Sequence, residues 1–279
     1  MTSRSMALTR QLLNRPLALS ARHADILSSM LLKGGDDVML FGPANDLEQF
    51  IAQQMMTRVD NVAIIKISGV LLPGSSNGFG WWYAGATFYD DIGTAFDLAI
   101  KDEGVKAIVL HIDSPGGTVA GCFDTAEQIY LARSQKPIVA IVDEMACSSG
   151  YALASAAETI TLPRTGEVGS IGVVSMHVDI TGALEQDGIK VTTFQFGDRK
   201  TDGYPTTPLS DEAIKSQQAD TDRLGDLFVS TVARNRGLKP EAIRDMQAAV
   251  YRGQLGVEAG LADAVMSRTD AFTDLLKNL

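Results

Sequence analysis

The pattern of apolar and polar positions predicts a chain built from repeated strand-helix units. Continuous apolar, β-branched runs are typical of buried strands, and apolar residues at helical spacing follow each of these runs. Three such units cover residues 61–103, 107–134 and 138–157. Strands that alternate with helices in this way form a mainly parallel sheet with crossover helices. The sequence therefore predicts an α/β fold.

The pattern after residue 157 predicts shorter elements and one long helix. The long helix covers residues 210–236, and Ser210 and two acidic residues begin it, as is common in a first helical turn. Three short apolar runs predict strands, and a segment before the long helix predicts a short helix. The predicted strands are residues 159–163, 171–179 and 190–196, and the short helix is 180–188.

The first 59 residues differ from the rest of the chain. Residues 17–32 have helical spacing, glycines and aspartates at 34–37 interrupt it, and residues 47–57 predict a second helix. We therefore predict two parts, a helical appendage with a linker over residues 1–59 and one α/β domain over residues 60–279.

Two turns at the ends of neighbouring predicted strands contain candidate catalytic groups. Ser148 and Ser149 lie between a buried strand and a helix, and a helix N-terminus offers free N–H groups that stabilise an oxyanion. Gly116 and Gly117 follow the preceding strand, where glycine lets the backbone approach a substrate closely. These strand ends predict a hydrolase site at the carboxyl edge of the sheet, with either serine as the nucleophile.

Four ordered motifs resemble one family of serine peptidases. DSPGGTVAG, MACSSGYALASAA, TGEVGSIGVV and GDRKTDGYP are similar to segments of the S49, or signal peptide peptidase A, family. The resemblance covers roughly residues 60–270. It implies a crotonase-like or ClpP-like α/β fold with a Ser/Lys catalytic dyad.

The resemblance also implies roles for particular residues. Ser148, the first serine of its turn, corresponds to the nucleophile of the family, and Lys200 corresponds to the general base. Ser170 corresponds to the serine that orients this lysine. The backbone N–H groups implied for the oxyanion hole and for binding the substrate backbone belong to Gly116, Gly117 and Ser149.

A lysine that acts as a base must be uncharged. A free lysine amine has a pKa of about 10.4, so a lysine base working near neutral pH has to be buried. We therefore expect Lys200 to lie buried beside Ser148, with Asp198 and Asp202 turned toward solvent.

Two rival assignments use other side chains. A Ser/His/Asp triad would have to use His177, perhaps with Asp179. A cysteine peptidase would use Cys147, next to Ser148, and would also need a histidine partner. We expect His111 to face a neighbouring strand instead.

Within the family, the sequence resembles the capsid-assembly proteases of tailed phages more closely. RPLALSARHADILSSML, VDEMA and KTDGYP are similar to segments of those proteins. Bacterial signal peptide peptidases usually begin with a membrane anchor, whereas no apolar run here reaches the ~18 residues of a spanning helix. Because the sequence stops at Leu279, we expect any scaffold to be a separate polypeptide.

The composition of the chain argues against some classes of binding partner. The chain has 34 acidic and 24 basic residues and a net charge of −10, which argues against nucleic acid or an anionic membrane as the main partner. Its two cysteines, Cys122 and Cys147, lack the spacing of a metal site, so we expect neither a metal nor another cofactor. We expect a cytoplasmic protein, in the host cytoplasm or inside the phage procapsid.

An aromatic stretch at residues 79–88 contains Trp81, Trp82 and Tyr83. It predicts a surface loop that packs its own aromatic rings, or alternatively a flap over the substrate or a contact between subunits. Members of the resembled family form rings, so we expect a closed homo-oligomer.

These observations predict a serine endopeptidase that cleaves scaffold or capsid protein, or its own terminus, during phage head maturation. One alternative is a cytosolic S49 peptidase that degrades signal peptides or other fragments. A second alternative is a non-catalytic crotonase-like assembly module, but the presence of Ser148, Lys200 and Ser170 argues against it.

Overall fold

The largest element of the fold is a mostly parallel β-sheet. A computed structural model describes residues 17–19, 55–76 and 85–279. The strands in these residues are β1 (Leu17–Leu19), β2 (Met56–Val59), β3 (Val62–Leu72), β4 (Ala86–Phe88), β5 (Ala107–Thr118), β6 (Ile138–Cys147), β7 (Thr159–Leu162), β8 (Glu167–Gly169), β9 (Val250–Arg252) and β10 (Ala264–Val265). The main path of the sheet runs in the order β10-β7-β6-β5-β3-β2.

Helices cover both faces of this sheet. They are α1 (Tyr89–Lys101), α2 (Cys122–Ala132), α3 (Ser149–Ser155), α4 (Thr181–Gln186), α5 (Asp211–Arg236), α6 (Pro240–Asp245), α7 (Gln254–Glu258) and α8 (Arg268–Asn278). The larger core contains buried residues of α1, α2, α3 and the last third of α5. On the other face, Ala271 and Leu275 of α8 pack against β3, β5 and β6.

The central strands confirm the predicted parallel arrangement. β3 pairs with β5 from Val62–Ala107 to Leu71–Gly117, in parallel. β5 pairs with β6, also in parallel, from Ile108–Ile138 to Ser114–Ala146. Each of the three predicted units supplies one strand and one following helix, β3-α1, β5-α2 and β6-α3. The carboxyl ends of β5 and β6, where the candidate residues lie, therefore meet at one edge of the sheet.

The predicted strands at residues 171–179 and 190–196 are wrong. Residues 171–173 and 175–179 are irregular, Val174 makes only an isolated bridge, and 190–196 is irregular or bent; β8 lies earlier, at Glu167–Gly169. A strand needs a hydrogen-bonded neighbour along several residues, and apart from the single bridge at Val174 the described chain offers none to these runs. Residues 174–209, which we call the arm, contain no buried residue.

The amino-terminal prediction is also corrected where the structure describes it. Residues 17–19, the start of the predicted helix 17–32, form strand β1, which pairs antiparallel with β5. Met56 and Thr57, predicted at the end of the second helix, belong to strand β2. Met55, also in the second predicted helix, is helical and buried. The other residues of both predicted helices, 20–32 and 47–54, and the aromatic residues 79–83 lie outside the described residues.

Helix α3, which follows the candidate nucleophile, is held at its end by Arg133. A helix leaves its last carbonyl groups without partners inside the helix. Arg133 lies just beyond α2, and its guanidinium donates to the carbonyls of Ala156 at 2.7 Å and Ser155 at 2.8 Å. It also donates to the Ala157 carbonyl. One side chain therefore satisfies three carbonyls at the end of this short, fully buried helix.

Replacing Arg133 with methionine should destabilise the fold. The substitution leaves partly buried carbonyls unpaired, so we expect the free energy of unfolding in urea to fall by about 2–3 kcal/mol. Arg223→Met is the control, because Arg223 forms an exposed ion pair with Asp220 and such pairs contribute under about 1 kcal/mol. Equal unfolding midpoints for the two variants would contradict this role of Arg133.

Candidate active site

Ser148 lies in a strained turn between strand β6 and helix α3. Its backbone has φ 53° and ψ −124°, a region that residues other than glycine rarely adopt. The Ser148 carbonyl accepts the first bond of the helix, from Ala152 N–H at 2.9 Å. The Ser148 side chain is fully buried, and its Oγ has no hydrogen-bond partner among the described residues. A buried, unpaired hydroxyl at such a turn is typical of a nucleophile that awaits its base and substrate.

Strand β8 fixes this turn and brings Ser170 beside it. Cys147 pairs with Gly169 in parallel, and the Ser148 N–H donates to the Gly169 carbonyl at 2.8 Å. Gly169 has φ 114°, and a Cβ there would lie 2.6 Å from the Ala249 carbonyl oxygen, so only glycine fits. Ser170 follows at once, is 7% exposed, and its N–H donates to Ala249 O at 2.9 Å.

Contrary to the prediction, Gly116 and Gly117 do not follow the strand in a turn but lie inside β5, which continues to Thr118. A Cβ on Gly150 would lie 3.0 Å from the Ser114 carbonyl oxygen, so helix α3 begins in contact with the end of β5. A Cβ on Gly117 would lie 1.9 Å from the Leu71 carbonyl oxygen, so no side chain fits there. Ser149 is the first residue of α3, and its N–H has no acceptor within the helix. Ser149 thus follows the end of β6, and Gly116 and Gly117 lie at the end of the neighbouring strand β5; their role as an oxyanion hole remains a prediction.

Two further residues, Ser114 and Tyr89, form hydrogen bonds at this edge of the sheet. Ser114 Oγ donates to the Gly69 carbonyl at 2.7 Å and accepts from the Gly116 N–H at 3.2 Å. The Tyr89 hydroxyl donates to the Thr118 carbonyl at 2.7 Å, and burial raises the pKa of Tyr89 well above its usual value, which keeps it a donor. The motifs contained Ser114 and Gly169 but gave no signal of what they contact, and no pattern singled out Tyr89.

Lys200 is not brought to Ser148 within one chain. Its side chain is exposed, and its backbone lies in a turn of the arm, where its N–H donates to Gly197 O at 3.1 Å. Beside it, Arg199 donates to Ser216 Oγ on helix α5 at 2.5 Å. In α5, Ala213 is buried in the first turn, and no residue from 214 to 227 is buried. Lys200 is therefore exposed on the arm, whereas Ser148 is fully buried. Asp198 is exposed, and Asp202 pairs with Arg199 at 3.1 Å.

The alternative histidine triad is not assembled either. Asp179 Oδ1 accepts from the Thr181 N–H at 2.8 Å and the Thr181 hydroxyl at 2.6 Å, and these bonds are the main cause that lowers the pKa of Asp179. Neither ring nitrogen of His177 has a hydrogen-bond partner in the described part of the chain. His177 also lies on the arm, away from Ser148.

Cys147 and His111 do not serve as catalytic groups in this structure. Burial raises the pKa of Cys147 to about 12, so this thiol is not ionised near neutral pH and is a poor nucleophile. His111 lies in the middle of β5, and its Nε2 is 3.3 Å from an Asp143 carboxylate oxygen on β6, as expected for a residue that faces a neighbouring strand. Burial lowers the pKa of His111.

A comparison with known protein families shows which family contains this chain. A sequence model of peptidase family S49 matches residues 131–279, more than half of the chain, and this match includes Ser148, Ser170 and Lys200. The chain belongs to peptidase family S49. The family resemblance found in the four motifs is thereby confirmed, and the fold is the crotonase/ClpP-like α/β fold that the resemblance implied.

Individual relatives include phage and cellular S49 proteins. The chain is 36% identical over 256 residues to capsid assembly protease C of Escherichia phage lambda, covering 92% of this chain and 55% of that protein. It is 37% identical over 217 residues to head-tail preconnector protein GP5 of Enterobacteria phage P21, covering 77% and 42%. A putative signal peptide peptidase SppA of Enterococcus faecium is 29% identical over 179 residues, covering 63% and 52%. The chain spans about half the length of these relatives.

The strained turn gives a test that needs no substrate. Ser148→Gly removes the cost of the positive φ, about 1–3 kcal/mol, but adds the backbone entropy of glycine, about 0.5–1 kcal/mol. We therefore expect Ser148→Gly to have a free energy of unfolding about 1 kcal/mol higher than Ser148→Ala, measured by urea denaturation. An alanine variant as stable as the glycine variant would show that the turn is not strained.

Proposed function

We propose that this chain is a serine endopeptidase with Ser148 as nucleophile and Lys200 as general base. The observation that supports it most is the buried, unpartnered hydroxyl of Ser148 in a strained strand-to-helix turn. Membership of peptidase family S49 and the position of Ser170 next to Gly169 agree with it. A non-catalytic assembly module has no need for a strained serine.

The proposed reaction proceeds through an acyl-enzyme. Ser148 Oγ attacks the carbonyl carbon of the scissile bond as its proton passes to the neutral amine of Lys200. The developing oxyanion lies against the N–H of Ser149 and an N–H of the Gly116–Gly117 pair. The protonated lysine then gives its proton to the leaving nitrogen, and water hydrolyses the resulting ester by the same route. Ser170 would orient the lysine amine toward Ser148.

We further propose that the lysine reaches Ser148 from a second copy of the chain. Within one chain Lys200 is exposed on the arm, whereas a lysine base has to be desolvated. Ser148 is fully buried but has no lysine amine beside it, whereas Lys200 supplies an amine that is exposed to solvent. Placing the arm of one copy over the Ser148 edge of its neighbour supplies both.

The surface of the arm favours such an assembly. Phe194 and Phe196 are 93% and 100% exposed, although burying one phenylalanine ring is worth about 1.5–3 kcal/mol. Seven more large apolar side chains of the arm are exposed: Val174, Met176, Val178, Ile180, Ile189, Val191 and Tyr204. An apolar surface of this extent marks a protein interface. A closed homo-oligomer built through the arms is the simplest arrangement.

For the substrate, we propose scaffold or capsid protein during phage head maturation. This rests on the names of the lambda and P21 relatives, which concern capsid assembly and the head-tail connection. None of the helices in residues 55–76 and 85–279 is long and apolar enough to cross a membrane. We place the enzyme in the host cytoplasm or the procapsid. Breakdown of signal peptides or other fragments is the alternative, suggested by the name of the Enterococcus relative.

Activity measurements on four variants test the dyad. We expect Ser148→Ala and Lys200→Ala each to lower kcat/KM for casein cleavage by more than about 1000-fold, because residues that act as one unit fail together. Lys200→Arg should fail equally, since a guanidinium does not lose its proton at accessible pH. Ser149→Ala should stay within about threefold of the parent, because only its backbone N–H takes part.

His177→Ala is the control that separates the two possible bases. It should retain most activity, because His177 lies on the arm without a hydrogen-bonded carboxylate. An active Lys200→Ala enzyme together with an inactive His177→Ala enzyme would replace the dyad with a histidine base. Loss of activity in Ser149→Ala but not in Ser148→Ala would show that Ser149, and not Ser148, is the nucleophile.

The aromatic residues of the arm give a separate test of assembly. Replacing Phe194 and Phe196 together with serine should shift the mass measured by light scattering from an oligomer toward a monomer, because the variant loses about 3–6 kcal/mol of apolar burial per arm. Casein cleavage should fall with it, although both dyad residues are intact. Leu131→Ser is the matched control, since Leu131 is 61% exposed on helix α2, outside the arm. A monomeric parent chain, or a variant that remains assembled and active, would contradict the proposal.

A further inference from the structure

Strand β5 has two edges beside its terminal glycines, and the structure shows what lies on each. On one edge, β3 pairs with Gly116 and Gly117 through Val70 and Leu71. On the other edge, β6 pairs with β5 only as far as Ser114–Ala146. After Ala146, strand β6 turns into the Ser148 loop and helix α3. The second edge of residues 116–118 is therefore vacated by β6.

This vacated edge begins just beyond the last pair of β5 with β6, Ser114–Ala146. Gly116 lies two residues after that pair on β5, and Ser148 lies two residues after it, just beyond the end of β6, so both follow the end of the β5–β6 pairing. A peptide that adds to this edge as a strand would have its backbone beside both the Ser148 hydroxyl and the N–H groups of the proposed oxyanion hole. Adding an extended peptide to a sheet edge is a common mode of peptide recognition, in which main-chain hydrogen bonds supply affinity.

The chain already fills this place with its own residues. Strand β1 pairs antiparallel with β5, with Leu17 opposite Thr118, Ala18 opposite Gly117 and Leu19 opposite Gly116. Because β3 takes the first edge at Gly116 and Gly117, β1 has to take the edge that β6 leaves. Leu19, opposite Gly116, is then the β1 residue at the start of the edge that β6 leaves.

We propose that β1 is an internal occupant of the substrate groove, which competes with substrate peptides for the edge of β5. Because β1 is tethered to the same chain, it competes with a free peptide at an effective concentration set by its linker. The substrate strand that replaces β1 runs antiparallel to β5, with its scissile region level with Leu19. The inference rests on the proposed function in one respect, namely that substrate binds beside Ser148.

The test uses full-length chains in which β1 alone is weakened. Ala18→Pro removes a backbone donor and fixes φ in the middle of β1, which disfavours strand pairing. Ala7→Pro is the matched control, because it also replaces an alanine that precedes a leucine but lies outside β1. Leu19→Gly provides a second way to weaken β1, which keeps the test decisive if Ala18→Pro does not fold.

The first measurement is binding and does not depend on catalysis. All chains also contain Ser148→Ala, and the probe is a fluorescent peptide with the sequence of residues 14–25, NRPLALSARHAD. We expect the Ala18→Pro chain to bind it at least about threefold more tightly than the parent and the Ala7→Pro chain, since the apparent affinity rises with the fraction of open groove. Backbone amides of Gly116–Thr118 should exchange hydrogen faster in Ala18→Pro and be protected again by the peptide. A scrambled peptide should do neither.

The second measurement uses the same β1 variants with Ser148 restored. Ala18→Pro should lower KM for a fluorogenic peptide by at least about threefold with kcat unchanged, because it removes a competitor and leaves the catalytic groups in place. Equal peptide affinities and equal exchange rates in all chains would overturn the inference, even if the enzyme cleaves casein. If instead no chain cleaves any peptide but the binding and exchange differences appear, the occupied groove stands and the proposed peptidase activity fails.

Discussion

The hydrogen bond from the Ser148 N–H to the Gly169 carbonyl is the contact on which the site depends. Ser148 holds a backbone conformation that costs about 1–3 kcal/mol, and such a conformation persists only when its surroundings fix it. Strand β8 fixes it from one side through the Cys147–Gly169 pair. The buried helix α3, whose last carbonyls are satisfied by Arg133, fixes it from the other. The same hydrogen-bonded pair places Ser170 next to the turn that contains Ser148, the proposed nucleophile.

In the proposed assembly, the arm of one copy brings its exposed Lys200 to the buried Ser148 of another. An exposed lysine is protonated near neutral pH and is no base, and an unpaired buried hydroxyl is a cost to folding. The unpaired hydroxyl is unfavourable in one isolated chain, and the solvated lysine costs nothing there but cannot act as a base. In the proposed assembly, the nine exposed apolar side chains of the arm would supply the free energy of association. Activity would then require assembly, because the proposed dyad is completed only by a neighbour.

The sequence predicted the parts of the fold that depend on local pattern. The three strand-helix units and the long helix after Ser210 needed only periodicity and a cap, and Ser210 does accept the Ala213 N–H at 3.1 Å. The strands expected at 171–179 and 190–196 have the alternation of strands but no partner within the described chain. Strand β1 shows the opposite case, since its helical spacing gave way to pairing with an open sheet edge. Which strand finds a pairing partner depends on the whole fold and cannot be predicted from local pattern. For the same reason the sequence did not show that Lys200 is exposed on the arm while Ser148 is buried.

A mixing experiment tests the shared site most directly. Ser148→Ala and Lys200→Ala chains are each inactive alone, and they are combined in equal amounts under conditions that allow subunits to exchange. If Lys200 acts on the neighbour's Ser148, the mixture should regain about one quarter of the parent activity, because each interface receives the intact pair with a probability of one half times one half. If both residues act within one chain, the mixture should stay inactive, because every subunit lacks either Ser148 or Lys200. A mixture that exchanges subunits and stays inactive would contradict the account.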